Sequence, residues 1–456
     1  MPDTAPLGGH REPALPDTPG EEGSETERVR SSGESAQLEY LSSADAHPPI
    51  ISALQQSGIY ATSVHLESLQ HRPGAGVTGI YRIVVSDPAR LLHTEEGRDE
   101  PRIYAAEGDH IYEVYVGVST ERIRAESKDV VSAHSPAGPL AIWQHPCDPA
   151  LSGLRVATDP VAVARRWGQG SRLTSLETVS YRPLRRAVIA ADFADGSRTY
   201  LKVLRRGRAE DLARRHHMLL SAGVPAPRPL REPVEDVVAL RQGEGISLAE
   251  HFLEDGAARV RPQDFVQLLE ALPAEVMDLP AREAWTDRLP SYASAAQAAL
   301  PEAAPRIAAL RDLILTELTV TDRGPVVPAH GDFYEANMLM QGGTVSCLLD
   351  VDALGPGHRV DDLACFLGHL AVLPAVDPRY VHVPAAFDRF ARVFAQNVDE
   401  GSLRVRSASV ALSLVAGARD TRRSGWKEQA EHRLRCAEAI VGLTSPSGSL
   451  AQWPGV

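Results

Sequence analysis

The chain has 456 residues, of which 43% are hydrophobic and 23% charged, a balance typical of a globular protein of two or three domains. Its formal net charge of −13 excludes a protein that binds nucleic acid through a broad basic surface. The sequence has no apolar run long enough for a transmembrane helix and no apolar signal-peptide core, so we expect no membrane partner. Four cysteines without metal-ligand spacing favour a reducing compartment, so we expect a cytoplasmic protein.

Both ends of the chain are predicted to be tails. Residues 1–48 are acidic and rich in Pro, Gly and Ser, so they cannot bury enough apolar surface to become ordered. Residues 446–456 are predicted to form a second tail. Residues 49–171 contain strand patterns at 80–85 and 111–116, and we expect this block to form a β-rich N-terminal cap domain.

A second β-rich block, residues 172–244, is followed by a long helical region. The alternation at 199–204 and the short apolar run at 237–240 predict strands, and 209–222 predicts a helix with a Gly-Pro stop signal. Residues 245–445 have mainly helical patterns, interrupted by one apolar hairpin. The chain is therefore expected to have an α+β fold.

The two β-rich blocks share a short sequence motif. Arg72-Pro73 in the first block and Arg182-Pro183 in the second each lead into a strand pattern. Recurrence of a common turn by chance and duplication of a β-lobe both explain the likeness. The sequence leaves these two interpretations open.

Lysine is scarce in this chain, and one lysine lies at an informative position. Only Lys128, Lys202 and Lys427 occur among 47 basic residues, the rest being arginine. A lysine in a strand is usually a solvated surface residue. Lys202 lies in the middle of an alternating strand that precedes a helix, and in so lysine-poor a chain this position predicts a specific role.

A hairpin near residue 340 brings three polar side chains together. Two apolar strands flank a Gly-Gly turn at 342–343, so Asn337 is predicted to lie opposite about position 348. Asp350 lies two residues further, which predicts a separation from Asn337 of about 7 Å. Asp332, five residues before Asn337, lies on the loop that enters the same end of the hairpin.

This arrangement is the one that phosphoryl transfer needs. Asp332 would orient and deprotonate an attacking hydroxyl, while Asn337 and Asp350 would hold Mg²⁺ against the phosphates of a nucleotide. Each motif alone is more commonly a turn or an Asx cap. Their combination at the same end of one hairpin favours the catalytic interpretation.

On these residues the chain resembles the aminoglycoside phosphotransferase and choline kinase family. The matching motifs are His-Gly-Asp at 330–332 followed by Asn337, Leu-Asp-Val-Asp at 349–352, and Asp-Leu-Ala at 362–364. The resemblance implies a bilobal protein-kinase-like fold, with an antiparallel five-stranded β N-lobe and a helical C-lobe that carries the catalytic loop. The N-terminal cap domain is additional to this pattern.

The resemblance also implies further site residues. Lys202 would bind the phosphates of ATP, with Glu210 as its carboxylate partner and Asp211 as the alternative. Arg185 and Arg186, in the loop between the first two lobe strands, would either contact phosphate or be exposed. The remaining implied residues form the nucleotide hinge or support the catalytic loop and metal ligands: Arg241, Gln242, Gly243, His330, Asp352 and Asp362.

The expected function is that of an ATP- and Mg²⁺-dependent phosphotransferase that phosphorylates a hydroxyl of a small polar molecule. The carboxylates around the catalytic loop favour a cationic acceptor such as an amino sugar or an aminoglycoside, while a neutral sugar or cyclitol remains open. The alternatives are a kinase-like binding or regulatory protein without turnover and a metal-dependent phosphohydrolase, for which the sequence offers no second set of metal ligands.

Overall fold

The computed structural model describes residues 33–34, 36–72, 76–86, 111–121, 123, 129–419 and 424–442. They form two compact units, the first reaching to Arg155 and including Arg182–Arg185, the second comprising Val156–Tyr181 and the chain from Arg186 onwards. The fold is α+β, with antiparallel sheets followed by a helical region. None of the helices within the described ranges is long and apolar enough to cross a membrane.

The first unit contains a five-stranded antiparallel sheet with the order β1-β2-β3-β5-β4. The predicted strands at 80–85 and 111–116 lie within β2 and β3. Apolar residues of the sheet and of the preceding helices form a separate core, which includes Ile50, Ile83 and Val116. The elements are α1 (36–42), α2 (His47–Gln56), β1 (Tyr60–Arg72), β2 (Gly76–Ser86), β3 (Ile111–Ser119), β4 (Val130–Ser135), β5 (Gly138–Gln144) and α3 (Leu154–Ala157).

The predicted tail 1–48 is too long, because its last part is folded. Residues 36–42 are helical, and Leu41 and Ala46 are fully buried in the core of the first unit. The Tyr81 hydroxyl donates a hydrogen bond to the Leu41 carbonyl at 2.5 Å. Residues 1–32 and the second predicted tail, 446–456, lie outside the described residues.

The predicted end of the cap domain at residue 171 is also wrong, because the first unit ends at Arg155. Helix α4 (Pro160–Trp167) packs within the second unit, where Trp167 is buried. Arg166 forms an ion pair with Glu235 at 2.7 Å, and its carbonyl accepts a hydrogen bond from Arg231 at 2.7 Å. These contacts fix α4 to the lobe that follows it.

The second unit begins with a four-stranded sheet of order β6-β7-β8-β9. An isolated bridge between Pro229 and Leu240 adds a short fifth segment where the resemblance implied a full strand. Helix α5 lies between β8 and β9, whereas α1 and α2 of the first unit precede its sheet, so lobe duplication stays a prediction. The elements are β6 (Leu173–Arg182), β7 (Arg186–Phe193), β8 (Arg198–Leu204), α5 (Ala209–Ser221) and β9 (Val237–Arg241).

The rest of the second unit is mainly helical and surrounds a core of phenylalanines. The Phe366 ring lies 5.0 Å from Phe390 and 5.3 Å from Phe265, and Phe333 lies 6.1 Å from both Phe265 and Phe366. Because Phe333 follows Asp332 directly, this core anchors the loop that carries the predicted catalytic residue. The helices are α6 (Leu248–Asp255), α7 (Pro262–Glu270), α8 (Leu289–Ala299), α9 (Ala304–Leu318), α10 (Arg359–Val376), α11 (Val383–Phe394), α12 (Glu400–Ser413) and α13 (Trp426–Ile440).

Candidate active site

Short strands within the helical region carry the catalytic loop: β10 (Ile246–Ser247), β11 (Val326–Ala329), β12 (Met338–Gln341), β13 (Thr344–Leu348) and β14 (Gly355–His358). Strands β12 and β13 form the predicted hairpin, but the register differs from the prediction by one residue. The Leu349 N–H donates to the Asn337 carbonyl at 2.8 Å, so Asn337 lies opposite Leu349 rather than position 348. A register shift between Leu339 and Met340 causes the offset.

The structure brings Asp332 and Asn337 together at one end of this hairpin. The Asn337 side-chain amide donates to the Asp332 carbonyl at 2.9 Å, and Asn337 is 7% exposed. The Asp332 Oδ1 atom is buried and has no hydrogen-bond partner among the described residues. Burial, with the nearby charge of Asp350, raises the pKa of Asp332 to about 6. A buried carboxylate with an unsatisfied oxygen is a suitable acceptor for a hydroxyl proton.

A buried carboxylate holds the backbone of the catalytic loop. Asp362 accepts hydrogen bonds from the N–H groups of His330 and Gly331, both at 2.8 Å, and burial raises its pKa to about 7. Burial lowers the pKa of His330 to about 4, so its ring is neutral and donates from Nε2 to the Leu349 carbonyl at 3.0 Å. Its Nδ1 accepts from the Asp332 N–H at 3.3 Å. His330 is therefore a support for the loop.

Glycine is required between the histidine and the aspartate. Gly331 has a φ of +79°, and a Cβ atom at this position would lie 2.9 Å from the Ala353 carbonyl oxygen. A larger side chain would therefore be both strained and in steric conflict. The close approach brings the catalytic loop next to the segment that carries Asp350 and Asp352.

Lys202 reaches this segment from strand β8. Its ammonium nitrogen lies 3.1 Å from Asp350 Oδ1 and 2.9 Å from Asp352 Oδ2. Burial alone would lower the pKa of Lys202, but the charges of Asp352 and Asp350 outweigh it and raise the pKa. Burial and a hydrogen bond with Asp352 raise the pKa of Asp350, whereas Lys202 overcomes burial to lower that of Asp352.

The two loop arginines have different surroundings. Arg186 approaches Asp350 Oδ1 to 3.7 Å, and its charge lowers the pKa of Asp332 against the effect of burial. Arg185 instead forms an ion pair with Glu121 within the first unit. Of this pair, only Arg186 lies beside the candidate active site.

The predicted pairing of Lys202 with Glu210 is wrong for this structure. Glu210 lies in the first turn of α5 and is exposed, because the buried face of α5 begins with Ala209 and Leu212. His216 lies on the buried face of α5 and is 1% exposed. Burial, followed by the Lys202 charge, lowers the pKa of His216 to about 4.

The sequence contains the adjacent histidines His216 and His217, but it did not lead us to expect either of them near Lys202. His216 is buried and His217 is exposed, as expected for neighbouring residues on different faces of a helix. Neither ring nitrogen of His216 has a hydrogen-bond partner within the described part of the chain. The aromatic residues Trp285, Tyr292 and Tyr334 near Asp332 were also missed.

The predicted nucleotide hinge borders a cleft. Arg241 ends strand β9 and donates from its backbone to the Arg228 carbonyl at 2.9 Å, and Gln242 donates to the Arg198 carbonyl at 3.0 Å. A cleft of about 190 Å³ lies beside this segment, and its lining includes Arg241, Gln242, Gly243, Ser346 and Cys347.

The oxygen atoms of the site fit a magnesium ion better than a softer metal. Asn337, Asp350 and Asp352 offer oxygen ligands, and the left-handed backbone of Asp350 (φ +51°) holds its side chain away from regular strand geometry. Across the described residues no cluster of three or more His, Cys, Asp or Glu side chains could hold a metal alone. Mg²⁺ characteristically uses one or two carboxylates and completes its coordination with phosphates and water.

Part of the chain is similar to known proteins. Residues 185–393 match the model of the phosphotransferase enzyme family. No curated protein sequence matches the chain at a significant level. Similar solved structures include a thermostable mutant of the aminoglycoside phosphotransferase APH(4)-Ia (16% identity, 64% of this chain, 100% of that chain, TM-score 0.45).

Two further similar structures come from bacteria. One is a macrolide 2'-phosphotransferase from Brachybacterium faecium (20% identity, 60% of this chain, 96% of that chain, TM-score 0.36). The other is a choline/ethanolamine kinase family protein from Mesorhizobium loti (15% identity, 63% of this chain, 94% of that chain, TM-score 0.40).

This family match indicates that the protein is a small-molecule phosphotransferase. Residues 185–393 match this family's model, in agreement with the motif resemblance. Lys202, Asp332, Asn337 and Asp350 all lie inside the matched range.

Proposed function

We propose that the protein is an ATP- and Mg²⁺-dependent phosphotransferase that phosphorylates a hydroxyl group of a small polar molecule. The observation that carries the proposal is the unsatisfied Asp332 oxygen beside Asn337, with Lys202 bound to the adjacent carboxylates of Asp350 and Asp352. The broad acceptor class is a sugar, an amino sugar or an aminoglycoside-like compound. The four free cysteines support a cytoplasmic location.

In the proposed reaction Asp332 accepts the proton of the acceptor hydroxyl through its unsatisfied oxygen. His330 and Asp362 hold the loop so that this oxygen keeps its position during the reaction. Lys202 donates hydrogen bonds to nucleotide phosphates, a role for which its cationic state suits it. Asn337 and Asp350 would hold Mg²⁺, which when bound neutralises charge on the transferred phosphoryl group.

The decisive experiment measures nucleotide consumption and product mass together. The full chain is incubated with ATP and a panel of sugars, amino sugars and aminoglycosides, with Mg²⁺ and with EDTA. The proposal requires ADP release and an acceptor mass increase of one phosphoryl group, both dependent on Mg²⁺. Nucleotide binding without transfer to any acceptor would favour the kinase-like binding protein, and phosphate release without transfer would favour a hydrolase.

A further inference from the structure

Four half-buried rings form a continuous surface that we call the aromatic wall: Trp285, Tyr292, Tyr334 and His369. The Tyr334 and His369 rings stack with their centroids 4.0 Å apart, and the Trp285 ring meets the His369 edge at 5.8 Å. Trp285 also stacks on Tyr292 at 5.6 Å. The wall thus links the catalytic loop to α8 and α10.

The aromatic wall lies beside the proposed catalytic base. Tyr334 is two residues from Asp332 in the chain, and burial together with the Asp332 charge raises the pKa of Tyr334. Burial raises the pKa of Tyr292, and Asp332 adds to the rise against the opposing charge of Arg288. A molecule with its hydroxyl at Asp332 would therefore lie close to these rings.

The carboxylates near the wall are largely neutralised. Lys202 pairs with Asp350 and Asp352, and Arg323 pairs with Asp287 at 2.9 Å. These carboxylates therefore offer less attraction to a polycation than their number suggests.

The position of Arg288 also disfavours a cationic acceptor. Arg288 lies over the rings of Trp285 and Tyr292, 5.5 and 5.2 Å from their centroids. A cation therefore already lies beside these two rings, which disfavours a second positive charge there.

We propose that the acceptor is an uncharged ring compound, a neutral sugar or cyclitol, whose apolar C–H face packs against the aromatic wall while one hydroxyl reaches Asp332. This inference rests on the proposed phosphotransferase function and specifies its substrate class. Aromatic side chains offer large apolar faces, and a few polar groups at the edge of such a surface fix the orientation of a ligand.

The test compares acceptors and variants of the full chain. Glucose, maltose and myo-inositol serve as neutral rings, glucosamine as a singly charged ring and kanamycin as a polycation. Binding is followed by saturation-transfer NMR, which needs no turnover, and transfer by ADP release in Mg-ATP. The variants are Trp285→Ala and Trp285→Phe, with Trp426→Ala as the matched control because Trp426 is also half-buried with a cation, Lys427, 5.8 Å from its ring centroid.

We expect at least one neutral ring to bind and to be phosphorylated with a kcat/KM at least about tenfold above that of kanamycin. Trp285→Ala should raise the KM for that ring by about tenfold or more, with a smaller effect on the KM for ATP, and Trp285→Phe should largely restore it. Preference for kanamycin, no binding of any neutral ring, or the same acceptor KM in Trp285→Ala would overturn the inference. Binding of a neutral ring without transfer to any acceptor would instead contradict the phosphotransferase function and leave the wall as a binding site.

Discussion

Replacing Asp332 with Asn should abolish most of the turnover and change its pH dependence. The substitution keeps the shape of the side chain but removes the oxygen that accepts a proton. Asn337 donates a hydrogen bond to the backbone carbonyl of residue 332, which the substitution leaves in place, so the loop should keep its conformation. Nucleotide affinity should therefore stay close to that of the native protein.

The magnitude follows from the role and pKa of Asp332. A positioned general base contributes about a hundred- to ten-thousandfold to the rate, so kcat should fall by that factor. Burial and the Asp350 charge raise the pKa of Asp332 to about 6, so its carboxyl holds a proton below that pH and cannot accept another. The native protein should therefore lose activity by about tenfold per pH unit below pH 6 and reach a plateau above it.

The assay is steady-state ADP release between pH 5 and 9 at saturating Mg-ATP, with nucleotide affinity measured by calorimetry. Asp312→Asn is the control, because that carboxylate is 64% exposed on α9. A kcat for Asp332→Asn within threefold of the native value would refute the assignment of the base. An unchanged acid limb in the variant would show that another group causes it.

Four further predictions concern the metal, the phosphates, the loop and the cap. Asn337→Ala and Asp350→Ala should each raise the Mg²⁺ concentration needed for half-maximal activity, measured by titration. Lys202→Ala should weaken productive ATP use, seen as a higher KM for ATP or a lower kcat, with the fold retained. Asp362→Ala leaves two buried N–H groups without their acceptor and should cost about 2–5 kcal/mol in the free energy of unfolding, measured by denaturant titration. Deleting residues 1–46 removes Leu41 from the core of the first unit and should destabilise the protein by about 2–5 kcal/mol or make it aggregate.

Each of these predictions has a control and a contradicting result. Asp312→Ala should change the stability by less than about 0.5 kcal/mol, because an exposed carboxylate on a helix loses little. Deletion of residues 1–32 alone tests whether the effect of the longer deletion comes from α1 and Leu41. An identical Mg²⁺ requirement in both metal-ligand variants would argue against the hairpin site. Unchanged kinetics in Lys202→Ala would show that this lysine does not act on the nucleotide.

The hydrophobic pattern predicted those strands and helices whose structure depends mainly on their own local sequence. The alternation at 199–204 corresponds to β8, and the helical pattern at 209–222 corresponds to α5. The folded part of the expected N-terminal tail was missed because Leu41 stands in a polar, Ser-rich context. Its burial depends on Tyr81 and the rest of the sheet, contacts that no local pattern reveals.

The sequence predicted those parts of the candidate site that the hairpin brings together. It did not predict contacts that depend on the direction of a side chain. Mirror symmetry about a turn placed Asn337 near Asp350, and a bulge at Ser346 in β13 shifted the register by only one residue. The partners of Lys202 lie 148 and 150 residues away, whereas Glu210 is near in sequence but on the exposed face of its helix. Proximity along the chain was therefore a poor guide to this ion pair.

The number of formal charges predicted a different acceptor from the one that we now propose, because that number does not show which charges are paired in the folded protein. The number of carboxylates around the catalytic loop favoured a cationic substrate. A carboxylate that is already paired with a cation of the protein, however, attracts a ligand less strongly. Lys202 neutralises much of the charge of Asp350 and Asp352. Arg288 then adds a cation over the ring surface that the acceptor must approach. Because Coulomb attraction depends on the net local charge, the acceptor class depends on these ion pairs more than on the number of acidic residues. If this reasoning is correct, Arg288→Ala should raise the activity with glucosamine relative to the activity with myo-inositol.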